Sequence, residues 1–151
     1  MMKTASIIVL GLLFCQLFPC PYSYAQDGPD FVNIRCGDVE LSVEVAADAK
    51  SRDRGLMRRE SIPKGSGMLF VYPSERICRL WMKNTFIPLS AAFIDKDGKI
   101  LQILDMKKIN STKIYRSKKK AQYALEVSLG WFAENGVVVG DYCEIPDIQS
   151  R

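Results

Sequence analysis

The chain has 151 residues, 48% of them hydrophobic and 25% charged, with 21 Lys or Arg against 17 Asp or Glu. A net charge of +4 is too mild an excess for a protein that holds nucleic acid by its phosphates. The chain has 0 histidines, which excludes Ser-His-Asp and Cys-His catalysis and every His-based metal centre.

Residues 1–25 read as a signal peptide: a cation at Lys3, an apolar run from Ile7 to Phe18, and Ser23-Tyr24-Ala25 as a small-x-small cleavage site. The run is short for a bilayer span, so a retained anchor is the lesser alternative. Lipidation at Cys15 or Cys20 is another, although Phe14 and Pro19 stand where a small residue is wanted. The expectation is export to the periplasm or the extracellular space, leaving a charge of +4 − 1 = +3.

Residues 26–38 are a polar linker followed by a first strand, and 39–151 form one domain. Val39, Leu41, Val43 and Val45 alternate with Glu40, Ser42 and Glu44, the period of a half-buried strand. Asp48 caps a short helix running to about Met57. Residues 62–67 are a loop by composition, and Met68 to Tyr72 form a buried strand stopped by Pro73. Strands follow at Ile77 to Asn84 and Leu89 to Asp95, with a kink at Pro88 between them. Asp97-Gly98 marks a hairpin into a strand from Lys99 to Met106. From Lys107 to Lys120 the chain has seven basic residues, no acid and no apolar period, and reads as an exposed loop. Tyr123, Leu125 and Val127 alternate with Gln122, Ala124 and Glu126 as another half-buried strand. Ser128 caps a helix from Leu129 to Glu134, and a last strand covers Val137 to Ile145. The fold class is mainly β: a jelly-roll-like sandwich or open barrel with two short helices.

Export permits one disulfide among Cys36, Cys78 and Cys143. Cys36 shares a strand face with Val32 and Ile34, and Cys143 with Ile145. The pair Cys36 and Cys143 would therefore tie the two ends of the domain together inside the core.

Five motifs, in this order and spacing, resemble the family of domains of unknown function numbered 192. They are Arg54-Gly55-Leu56-Met57, Gly67-Met68-Leu69-Phe70, Trp81-Met82-Lys83-Asn84-Thr85 with Ile87-Pro88-Leu89, Phe93-Ile94-Asp95, and Leu125-Glu126-Val127 before Gly130-Trp131. The resemblance runs from about Val39 to Ile145. It implies a compact jelly-roll-like β domain, common in exported bacterial proteins, and no established reaction. Two departures stand out: Ser90 occupies a position where the family usually has aspartate, and the segment before Leu125 is unusually rich in lysine.

On an extended strand, Arg79, Trp81, Lys83 and Thr85 share one face. Trp81 offers an aromatic platform, and Lys83, Asn84 and Thr85 offer directed hydrogen bonds to a small anionic or sugar-like ligand or to an envelope partner. Arg54 and Glu126 complete this candidate site. A purely architectural reading competes with it, in which Asn84 and Thr85 bond the kinked backbone before Pro88 and Lys83 pairs with Glu126. The enzymatic alternative is a histidine-free hydrolase or transferase using Lys83 with Glu126 or Asp95, and binding is the favoured class. Asp95-Lys96-Asp97-Gly98 opens like a calcium loop, but Met106 replaces the glutamate required at its twelfth position. No cofactor is implied. A third reading, a Cu(I) carrier, would draw on Met57, Met68, Met82 and Cys78, which otherwise fill core gaps. Lys107, Lys108, Lys113, Arg116, Lys118, Lys119 and Lys120 are candidates for holding an anionic surface.

Overall fold

The computed structural model describes residues 30–148; the leader and its cleavage site lie outside them. Nine strands and two short helices alternate as β1 (Phe31–Cys36), β2 (Val39–Ala46), α1 (Ala49–Arg54), β3 (Ser66–Arg76), β4 (Arg79–Met82), β5 (Leu89–Ile94), β6 (Ile100–Met106), β7 (Ser111–Arg116), β8 (Ala121–Ser128), α2 (Trp131–Glu134) and β9 (Cys143–Glu144). Seven strands make one curled half-barrel sheet in the order β6-β5-β8-β3-β2-β1-β9, while β4 and β7 pair as a separate ribbon. The protein is thus mainly β with two short helices, as its period-two patterning predicts. All pairings are antiparallel except β2 with β3, which α1 joins as a crossover. Asp48 caps α1 by accepting from the Ser51 amide at 3.0 Å.

The sheet buries both faces. On one, Leu41, Val43, Leu69, Val71, Ala92, Ile94, Leu125 and Val127 pack beneath Trp131, Phe132 and Val137. On the other, Met68, Phe70, Ala91, Phe93 and Ala124 pack beneath Leu56, Cys78, Leu80 and Met82, which come from the segment after α1 and from the ribbon. β5 is buried at every position, which fits a strand whose residues are all apolar except the hydrogen-bonded Ser90.

A disulfide joins Cys36 to Cys143, pinning β9 to β1 across a sequence separation of 107. Closing a loop of that size in the unfolded chain is worth about 4 to 5 kcal/mol in the chain-entropy account.

Several elements differ from the sequence-based expectation. Pro73 does not end its strand: β3 runs to Arg76, and Pro73 falls where the ladder to β8 is interrupted between Val71 and Arg76, so its missing N–H breaks no pairing. The basic segment is not a plain loop, because residues 111–116 form β7 against β4. Its apolar period is absent because Tyr115 is the only apolar side chain of β7 packed on the core. β8 is not half-buried: lying between β3 and β5, it covers Ala124 and Glu126 as fully as Leu125 and Val127. The ribbon strand β4 stops at Met82, short of Asn84, whose positive φ of 54° belongs to a turn. α2 starts from Gly130 rather than Ser128, which is the last residue of β8. The final strand keeps only two residues, since 137–142 turn back to bond the β5–β6 hairpin.

Candidate functional site

A cleft of about 390 Å³ opens between α1 with the turn after it, the end of β3, and the ribbon strand β4. Its position follows from the two-layer build of the second core, where the small ribbon covers the sheet incompletely. Arg52, Arg54, Arg76 and Arg79 line it, together with Tyr72, Trp81, Thr85 and Glu126.

Glu126 is the unusual member. Across the sheet it stands in register with Met68 on one side and Ala91 on the other, so it projects into the apolar second core with them. It is 4% exposed and its side chain makes no hydrogen bond or ion pair among the described residues. Burial pushes its carboxyl up to about 8. At neutral pH the group is therefore a neutral acid that can both donate and accept. By contrast Glu44, two strands away in the same row, is buried with a partner, the Arg59 guanidinium.

The arginines divide into two pairs. Arg52 donates to the Val71 carbonyl at 2.9 Å and to the Ala47 carbonyl, and its guanidinium lies 5.3 Å from the Tyr72 ring centre. Arg76 lies over the same ring at 5.6 Å. Burial pushes the Tyr72 hydroxyl up to about 12. Arg54 and Arg79 form no ion pair among the described residues, which leaves two uncommitted cations beside the cleft.

Of the residues singled out from sequence, Arg54, Trp81, Thr85 and Glu126 meet at this cleft, whereas Lys83 and Asn84 do not line it. Lys83 lies over the Trp81 ring at 5.2 Å, so neither a Lys83–Glu126 nor a Lys83–Asp95 pair forms. Asp95 instead accepts from the Asp97 and Lys99 amides in the hairpin, at 3.0 and 2.9 Å. Asn84 works in the backbone: its carbonyl accepts from the Arg58 amide at 2.8 Å and its amide donates to the Asn110 side chain at 3.2 Å. The Thr85 amide donates to the Met82 carbonyl at 3.2 Å, closing the turn that brings Thr85 to the cleft. The polar residues of the Trp81-Met82-Lys83-Asn84-Thr85 motif are thus mostly turn chemistry, with Trp81 and Thr85 left to face the cleft.

Met68, Met82 and Cys78 lie in the second core, and only Met57 reaches the cleft. Cys78 donates to the Ala121 carbonyl at 3.4 Å, and burial pushes its thiol up to about 11, against the thiolate a soft metal needs. Ser90 lies on the opposite face of the sheet, donating to Asp105 at 2.7 Å and accepting from the Gly130 amide at 2.9 Å. The carboxylate near this position is therefore contributed by the neighbouring strand.

Sequence reasoning missed Arg52, Tyr72, Arg76 and Arg79 as cleft residues. The shared strand face of Arg79 and Trp81 was a usable signal; the others come together only through the fold.

The family described as "Uncharacterized ACR", DUF192, matches residues 32–145. The chain belongs to this family. A crystal structure of a candidate transcription regulator from Sinorhizobium meliloti 1021 is 33% identical, with a TM-score of 0.73 over 77% of this chain and 94% of that one. A protein of unknown function from Novosphingobium aromaticivorans DSM 12444 shares the fold at 23% identity, with a TM-score of 0.75 over 84% of this chain and 94% of the other. No curated protein matches the chain. Four of the five motifs of the DUF192 resemblance thus reach one cleft, through Arg54, Phe70, Trp81 with Thr85, and Glu126.

Proposed function

We propose that this DUF192 domain is a binding module that takes a small anionic, hydroxyl-bearing ligand in the arginine-lined cleft. The observation that carries this reading is the buried and unpartnered Glu126 carboxyl at the cleft. The carboxyl has no protein partner among the described residues and its oxygens keep access to the cleft, so a bound ligand oxygen can hydrogen-bond to it. Arg54 and Arg79 meet the ligand's charge, Trp81 supplies an apolar wall for a sugar-like ring, and Thr85 and Glu126 meet uncharged oxygens.

Export to an oxidising compartment is part of this reading. The Cys36–Cys143 disulfide supports it, as does the leader-like sequence before the domain. An envelope partner remains the alternative source of the anionic group.

The test is a titration with glucuronate, glucose 6-phosphate and uncharged glucose, followed by Trp81 fluorescence in a Trp131→Phe background and by amide shifts. The reading expects the charged probes to shift Trp81, Arg54 and Glu126 together, and to bind at least tenfold more weakly to the Arg54→Ala/Arg79→Ala variant. Charged probes that leave these signals unmoved would remove it.

A second reading draws on Glu126 alone. A carboxyl pushed up to about 8 is poised to carry a proton near neutral pH, as a general acid does. A histidine-free hydrolase or transferase would use it without Lys83, and turnover of glycoside or phosphoester substrates, lost in Glu126→Gln, would favour that class.

A further inference from the structure

We propose that the open end of the β4–β7 ribbon docks on an anionic phospholipid surface, with Phe86 and Ile109 entering among headgroups that Lys83, Lys107 and Lys108 hold. This is separate from the cleft, whose lining includes none of these five residues.

Two loops make the ribbon's end, one following β4 and one preceding β7, and hydrogen bonds tie them together. The Asn84 amide donates to the Asn110 side chain at 3.2 Å, and the Asn110 amide donates to the Thr85 carbonyl at 2.8 Å. Both asparagines are left-handed, at φ 54° and 45°, a conformation that asparagine accepts more readily than most residues. The loops therefore present their side chains from a fixed frame. What they present is Phe86, 52% exposed, and Ile109, 45% exposed.

The charge around this tip is mostly positive. Lys83 and Lys108 form no ion pair among the described residues, and Lys107 only approaches Asp105, at 3.7 Å. The same sign continues along the ribbon, where Arg79 stands directly opposite Arg116. Like charges opposite one another oppose strand pairing, so the ribbon carries this arrangement against its own stability. Lys113 and residues 118–120 extend the basic surface.

These features select the partner. A soluble polyanion would engage the lysines and gain nothing from an exposed phenylalanine and isoleucine beside them. An anionic lipid surface uses both, because its headgroups meet the cations and its acyl boundary takes the apolar side chains.

The test uses the full chain with phosphatidylcholine vesicles, with and without phosphatidylglycerol. The apolar run from Ile7 to Phe18 would bind either vesicle, so the readouts are differences. The expected result is a several-fold excess on phosphatidylglycerol, abolished by high salt and by Lys107→Glu/Lys108→Glu. Phe86→Ser/Ile109→Ser, which alters only exposed positions, should remove most of that excess with an unchanged melting temperature. In Phe86→Trp, emission beyond that of the unaltered chain should shift to the blue and be quenched by brominated acyl chains. Equal binding to both vesicles overturns the proposal, and so does added emission in Phe86→Trp that brominated chains leave unquenched. Undiminished binding of Phe86→Ser/Ile109→Ser also overturns it, since the surface would then serve a polyanion by charge alone.

Discussion

At Glu126 the carboxyl is almost wholly withdrawn from water without gaining a hydrogen bond, and this gives the protein a pH dependence with a definite sign. Its folded value, about 8, lies above the ordinary 4.5. Below the ordinary value both folded and unfolded chains hold the proton. Between the two values only the folded chain holds it, so stability falls as pH rises, and the loss is complete above the folded value. The size of the effect is on the order of 5 kcal/mol. Chemical denaturation at pH 6 and pH 9 should therefore show the native chain markedly weaker at the higher pH, and Glu126→Gln much less so. An equal decline in both would place the titrating group elsewhere. Cys78 gives a second prediction at this scale. Its buried thiol, pushed up to about 11, should resist a thiol reagent at pH 8 in the folded protein and react once the chain is unfolded. Rapid labelling of Cys78 itself in the folded chain, read on its own peptide by mass spectrometry, would contradict the packing described for the second core.

Among elements, β8 decides whether a site exists, and its neighbour β3 decides where. Gly67 of β3 lies so close to β8 that an added Cβ would collide with the Glu126 carbonyl and stand 2.9 Å from the Val127 side chain. The family-like Gly-Met-Leu-Phe run thus has a physical reason for its glycine: close backbone approach at the residue that carries the buried acid. Gly67→Ala should cost about 1 to 3 kcal/mol or more by overpacking, measured by denaturation, and should disturb the Glu126 amide signal. A neutral substitution would mean that the strands can part at little cost. The alternation along β8 is plain in the sequence, yet its polar-looking side reads there as a solvent face. Period two locates two faces and cannot say whether a second layer covers the polar one. The ribbon escapes for a related reason, since β7 is held by backbone pairing to β4 and shows almost no apolar pattern of its own.

At the scale of the whole molecule, two layers meet on one sheet, and its strands β1 and β9 are joined at one edge by the Cys36–Cys143 disulfide. Reduction should lower stability by up to about 4 to 5 kcal/mol, with the fold otherwise kept, and the melting temperature with and without reductant checks it. An unchanged temperature would show that the ladder from β1 to β9 needs no covalent tie. The fold class is legible because turn signals and strand periods are local. The membership of the cleft is only partly legible. Arg54, Trp81 and Glu126 belong to recognisable motifs, but Tyr72, Arg52 and Arg76 reach them only when the parallel β2–β3 crossover sets α1 beside the end of β3. Lys83 looks functional by strand alternation and is turned aside because β4 ends before it.

The central claim, that the cleft binds an anion beside a neutral Glu126, is tested most directly by calorimetric titration of glucuronate at pH 7 and at pH 9.5. The account predicts that affinity falls at least tenfold at the higher pH, where an ionised Glu126 repels the ligand, and that Glu126→Gln keeps its affinity at both. Affinity that is unchanged with pH in the native chain, or equally lost with pH in Glu126→Gln, would contradict it.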